Sequence, residues 1–144
     1  MVEGKWFAQG GDISQPLALR QAVFGTAADD TDALAQQLLV YREGAPVGAA
    51  RMYWRDGDFH ADYIGVLPEE RGKGFGDLLM RLLLYKAETH GAKSLVVECP
   101  AELLAFFARY GFAAQGESEG ETLTLRAPIG GCGAGCAQCG GCKP

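Results

Sequence analysis

Two stretches of this 144-residue chain combine residue types that can do chemistry. The first runs from Ile64 to Leu79. An apolar run that reads as a strand is halted by Pro68, passes through Arg71-Gly72-Lys73-Gly74-Phe75-Gly76, and continues into a leucine-rich segment. Strand, glycine turn and helix in that order aim several backbone N–H groups at one spot, with the positive end of the helix dipole behind them. Such a spot binds an anion, most often a phosphate. The turn lacks the Lys-Ser/Thr ending of a Walker loop and the glycine spacing of a dinucleotide fingerprint.

The second stretch is the C-terminal tail, which holds four of the five cysteines: Cys132, Cys136, Cys139 and Cys142, spaced C-x3-C-x2-C-x2-C. The last three give C-x2-C-x2-C, a spacing that can supply three thiolates to one iron–sulfur cluster. Zinc usually takes two separated C-x2-C pairs, so a compact four-cysteine zinc knot is less typical. A cytoplasmic protein keeps its thiols reduced, which favours metal over structural disulfides. The glycines between the cysteines suit wrapping around an ion and equally suit a flexible appendage, so metal, redox and unstructured readings all stay open.

Other titratable groups lie near the glycine turn. His60 and Asp62 fall on one face with Ile64 if the strand 59–67 alternates regularly, and a solvated strand edge is the simpler fate of His60. Glu98 and Cys99 end a later strand on opposite sides. A small buried residue is the commoner role for a cysteine placed like Cys99.

The elements that must position these groups follow from periodicity and turn chemistry. A short strand over 5–9 is closed by Gly10-Gly11, and Ser14 with Pro16 starts a helix that Gly25 ends. Leu17, Leu19, Ala22, Val23 and Phe24 give it an apolar side. The acidic segment 26–35 reads as a loop or a broken helix. Strands 37–42, 47–54 and 59–67 follow, joined by Glu43-Gly44-Ala45-Pro46 and by Arg55-Asp56-Gly57-Asp58, where Asp-Gly is a hairpin signal. Three strands at hairpin spacing form an antiparallel meander. A broad-faced helix spans 77–90, closed by Gly91, and 94–99 is a buried strand stopped by Pro100. A helix over 101–110, then strands at 113–114 and 122–126 around the turn 118–121, complete a globular domain over 1–128. Residues 129–144 form the Gly/Cys-rich tail.

The net charge of −5 argues against a nucleic-acid binder and weakly fits a cationic or amine substrate. No apolar run is long enough to span a membrane, and the N-terminus has no signal-peptide core, so a cytoplasmic location is expected.

The pattern Arg/Gln-x-x-Gly-x-Gly/Ala, preceded by Val66-x-Pro68, resembles the acyl-CoA pyrophosphate loop of the GNAT superfamily of N-acyltransferases. Phe106-Phe107-Ala108-Arg109-Tyr110-Gly111-Phe112 is similar to the aromatic signature near that family's last helix. Leu19-Arg20-x-x-Val23-Phe24 resembles small stand-alone bacterial members. The resemblance covers 5–126 and implies an α/β (α+β) fold: a mixed, mostly antiparallel sheet with helices on both faces and a splayed acyl-CoA cleft. It implies acetyl-CoA as co-substrate, with the pyrophosphate on Arg71, Gly72, Lys73, Gly74, Phe75 and Gly76 and the pantetheine arm along Ile64 and Val66, beside the strand 95–99. It implies an amine acceptor, with Asp62 at an acidic position able to deprotonate it through water. The family often protonates the leaving thiolate with a tyrosine, but aligning Gly111-Phe112 puts Phe107 there. This departure and the tail motivate an alternative: a non-catalytic acyl-CoA-binding or metal- or redox-sensing module. A homodimer stays open as an assembly.

Overall fold

Turn chemistry and strand alternation account for most of the regular elements. The computed structural model describes residues 1–115 and 122–129. Its elements are β1 (Val2–Phe7), α1 (Ser14–Phe24), β2 (Ala35–Arg42), β3 (Ala45–Arg55), β4 (Asp58–Val66), α2 (Phe75–Thr89), β5 (Ser94–Pro100), α3 (Leu104–Ala108), β6 (Ala113–Ala114) and β7 (Thr122–Pro128). Short 3₁₀ turns occupy Asp30–Leu34, Pro68–Glu70 and Ala101–Leu103. The strands form a seven-stranded, mostly antiparallel sheet in the order β1-β2-β3-β4-β5-β7-β6. Among the described residues no helix is long and apolar enough to cross a membrane. The expected turn at 118–121 and the cysteine tail lie outside the described residues.

Two compact units contain these elements, one built from 1–54 and 61–83, the other from 55–60 and the described residues after 83. In the first unit, Glu43 (φ 50°) and Gly44 (φ 81°) form a two-residue turn between β2 and β3 with both residues left-handed, the geometry that matches strand twist. Pro46 falls inside β3 rather than in the turn, at the point where the β2–β3 register shifts; a proline is tolerated where the ladder is already irregular. β1 begins earlier than expected, because Val2 to Gly4 find partners in Arg42 to Val40.

Gly4, Val40 and Gly48 are register partners across β1, β2 and β3. A Cβ on Gly4 would meet Leu82 at 2.6 Å and one on Gly48 would meet Leu79 at 3.2 Å, so α2 covers this face. The alternate residues Leu39 and Ala49 pack with Leu19 of α1, joined by Phe7, Val23 and Tyr41. The two helices therefore cover opposite faces of the same strands. In α1 the buried positions are Pro16, Leu19 and Arg20, so an arginine is buried outside the apolar pattern while Ala22, within that pattern, is exposed. The acidic segment resolves into the 3₁₀ turn Asp30–Leu34, started by a capping box between Asp29 and Asp32.

In the second unit β7 pairs with both β5 and β6. Leu95, Val97, Leu125 and Ala127 are fully buried. Asp56 (φ 53°) and Gly57 (φ 84°) form the left-handed pair expected of the Asp-Gly turn. The helix expected over 101–110 is instead a 3₁₀ turn running into five α-helical residues. Pro100 precedes it, and Gly111 (φ 90°) turns the chain away three residues after its last helical position.

Candidate functional site

The loop between β4 and α2 is built by conformation. Leu67 N–H donates to Val47 C=O at 2.9 Å, the turn Pro68–Glu70 follows, and Gly72 (φ 80°) and Gly74 (φ 89°) take the left-handed backbone that only glycine adopts without strain. A Cβ at either glycine would meet nothing within 4 Å. The space over the loop is open. The helical ladder of α2 begins with Leu78 N–H to Gly74 C=O at 3.1 Å, so the amides of Phe75 and Gly76 precede it at the positive end of the helix. The Phe75 ring is buried in the core; it anchors the loop while its backbone stays with the helix end. Arg71 Nε donates to Val66 C=O at 3.1 Å, and Lys73 Nζ donates to Glu70 Oε1 at 3.2 Å. Ile64 and Val66 are half-buried residues of β4 leading into this loop.

Asp62 lies two residues before Ile64 and accepts from Arg51 through both oxygens, from Nε at 2.7 Å and from Nη2 at 2.6 Å. Strand alternation expects Asp62 and Tyr63 to face opposite ways. Tyr63 instead has φ 47° in mid-strand, a left-handed residue that interrupts the pleat. As a result Asp62 and Tyr63 both reach Arg51, whose guanidinium carbon lies 4.9 Å from the Tyr63 ring centre. The break falls between Asp62 and Ile64, so the regular face expected of His60 and Asp62 does not extend to Ile64.

Behind Asp62 lies a network that sequence reasoning missed. Arg20 and Arg51 are each 3% exposed, and Asp32 and Gln37 beside them are also buried. Arg20 holds Asp32 by two bonds of 2.9 and 2.8 Å and also donates to Gln37 at 3.1 Å. Arg51 Nη1 bridges to Asp29 at 2.6 Å and Asp32 at 3.3 Å. Burial alone would raise the Asp32 carboxyl, but hydrogen bonds from Arg20 and the Asp29 amide, with the Arg20 charge, hold it far below the ordinary carboxylate range. Burial works against the Arg51 charge, and the bonds and charges of Asp62 and Asp29 more than reverse it, so Arg51 stays a cation. The only sequence signal was a charged residue at position 51 between small and apolar neighbours.

Cys99 is buried, and burial pushes its thiol up, as for a packing residue rather than a nucleophile. Phe107 is buried against Phe106 and Phe112, with ring centres 5.2 and 5.6 Å away. Among the described residues no group of three or more His, Cys, Asp or Glu is arranged to hold a metal; Cys132, Cys136, Cys139 and Cys142 lie outside them.

A seven-stranded mixed sheet in which a strand enters a glycine loop at a helix N-terminus is the architecture of the acyl-CoA N-acyltransferases. A profile of the acetyltransferase (GNAT) domain matches residues 34–114. The chain belongs to this GNAT acetyltransferase family. It is 28% identical over 91 residues to an uncharacterized N-acetyltransferase, YjcF, of Bacillus subtilis, a match covering 63% of this chain and 65% of that relative. Its fold is shared with Escherichia coli ElaA (TM-score 0.76, 22% identity, 88% of this chain and 99% of that one). It is shared equally with an acyl-CoA N-acyltransferase from Pseudomonas aeruginosa (TM-score 0.78, 23% identity, 88% and 99%). A GNAT acetyltransferase from Elizabethkingia anophelis with acetyl-CoA bound also has this fold (TM-score 0.74, 16% identity, 89% and 98%).

Proposed function

We propose that the chain is an acetyl-CoA-dependent N-acetyltransferase that moves an acetyl group to a primary amine of a small molecule or peptide by direct attack. The observation that carries this reading is the loop, where Gly72 and Gly74 at positive φ bring backbone amides to the open N-terminal end of α2. The CoA diphosphate rests on Gly72 to Gly76, with Arg71 and Lys73 adding charge, and backbone groups of Ile64 and Val66 meet the pantetheine amides. The amine nitrogen bonds to the thioester carbon and the C–S bond breaks. The proton released by the amine passes through water to Asp62, whose oxygens keep lone pairs beyond those Arg51 uses. CoA leaves as a thiolate and takes its proton from solvent, since Phe107 has none to give.

A second reading follows from that same phenylalanine: an acyl-CoA-binding module without transfer, with Cys132, Cys136, Cys139 and Cys142 as an iron–sulfur, zinc or redox sensor. Calorimetry with acetyl-CoA followed by thiol release across an amine panel separates the two. The enzyme reading expects binding at about 1 μM to 1 mM, the usual range for co-substrates, and amine-dependent release. Binding with release no faster than background hydrolysis across the panel would sink it. Metal analysis of anaerobically purified protein tests the sensor.

A further inference from the structure

Arg42 lies outside both the glycine loop and the Arg51 network. It ends β2, on a different element from the glycine loop, yet its Nη1 donates to Glu70 Oε1 at 3.2 Å. Lys73 Nζ donates to that same oxygen at 3.2 Å, so one carboxylate gathers a cation from β2 and a cation from the loop. The exposure pattern shows which way this cluster faces. The Glu70 side chain is 17% exposed, while Arg42 and Lys73 are 47% and 45% exposed. The carboxylate is the inner hub and the two cations look outward. Hydrogen bonding from Lys73 and the charges of Lys73 and Arg42 hold the Glu70 carboxyl below its usual range, so the hub stays ionised. Arg71, its Nε donating to Val66 C=O, is a third cation in this stretch of a chain of net charge −5.

A surface ion pair whose only task is stability contributes about 0.2–1 kcal/mol and has no bearing on ligands. A cationic pair at the edge of a phosphate loop has a second use. Backbone amides and a helix end suit the diphosphate of CoA, whose charge is spread along the chain. CoA also carries a ribose phosphomonoester, a compact group near two negative charges at neutral pH. Such a group is recognised by guanidinium and ammonium groups, the guanidinium in fork geometry. Among the described residues Arg42 donates through Nη1, and Nε and Nη2 are the donors it offers a phosphate.

We propose that Arg42, held beside Lys73 by Glu70, forms the subsite for the ribose phosphomonoester of CoA. The proposal rests on the reading of Gly72 to Gly76 as the CoA diphosphate cradle. It makes Arg42 a residue that selects CoA over its dephosphorylated form.

Calorimetric titration of the full chain with CoA and with dephospho-CoA tests it. The wild type is expected to bind CoA more tightly than dephospho-CoA. Arg42→Ala should weaken CoA by about 3- to 10-fold, the effect of one half-exposed charged contact. Dephospho-CoA, which keeps the diphosphate, should change by less than about 2-fold and reports that the loop is intact. Arg42→Glu should widen the loss for CoA alone. A wild type that binds both ligands equally, or an Arg42→Ala loss shared by both, overturns the subsite and leaves the diphosphate cradle standing. A wild type that binds neither ligand overturns the cradle, and the subsite with it.

Discussion

Gly74 shows at the scale of one residue why the loop is written in glycine. Its φ of 89° has open space around it, so an added methyl group meets no neighbour and the whole penalty is conformational. Gly74→Ala is expected to cost about 1–2 kcal/mol and to turn the adjoining amides away from the ligand. Acetyl-CoA affinity should fall about 10-fold or more in calorimetry, since several aligned donors are disturbed together. An unchanged affinity would mean that the amides at 74–76 do not hold the diphosphate. Asp32 makes a second single-residue case. Its carboxyl is held low in the folded state, so it contributes stability that is fully present above the ordinary carboxylate value near ~3.9. That stability is lost as pH falls through the lower folded value. Asp32→Asn should lower neutral-pH stability by about 3 kcal/mol by leaving Arg20 underpaired, and should flatten the acid limb below pH ~4. Urea melts across that range measure both effects.

Arg51 works at the scale of elements. From β3 it reaches Asp62 of β4 and also Asp29 and Asp32, which frame the 3₁₀ turn after α1. Its neighbour Arg20 ties α1 to β2 through Gln37. Arg51→Met strips the Arg51 bonds from Asp29, Asp32 and Asp62, and of the three carboxylates Asp32 keeps its bonds from Arg20. The expected loss is about 3 kcal/mol. The part carried by the buried Arg51 and Asp32 is little changed by added salt, and the part carried by the more exposed Asp29 and Asp62 is screened. Hydrogen exchange should rise first at 29–34, whose order depends on these side chains; uniform exchange across the chain would contradict that. This network also marks the limit of what the sequence disclosed. Gly25, Asp56-Gly57 and Gly91 are local signals, and each turn formed where its residues predicted. The loop motif is local too, which is why the family resemblance was visible in Arg71 to Gly76. Arg20, Asp32, Gln37 and Arg51 are spread over thirty-odd residues and meet only after the sheet has formed. The left-handed Tyr63 is likewise invisible to a period-two reading. It sits within reach of both guanidiniums and against the Phe24 ring at 5.4 Å, contacts that can offset its backbone strain.

At the scale of the whole molecule the outstanding question is whether the tail talks to the domain. The GNAT match ends at residue 114, and the four tail cysteines lie beyond it. The last described contact before them is Ile129 N–H to Lys93 C=O at 2.8 Å, which extends the β5–β7 pairing by one step. Two independent parts would each keep their properties when the other is altered. Two coupled parts must show a reciprocal change, because a metal that alters CoA affinity is itself bound differently when CoA is present. Replacing Cys132, Cys136, Cys139 and Cys142 together by serine in the full chain makes the distinction. Under the N-acetyltransferase reading the variant binds acetyl-CoA within about 2-fold of wild type, whether or not the thiolates of the wild type carry a metal that serine hydroxyls would release. A sensor requires more: zinc or iron content must fall and acetyl-CoA affinity must shift by about 5-fold or more, the lower end of ordinary coupling between sites. Metal analysis and calorimetry on the same preparation give both numbers. A preparation whose wild type carries no metal, with CoA affinity indifferent to the four substitutions, removes the sensor and leaves the domain to act alone.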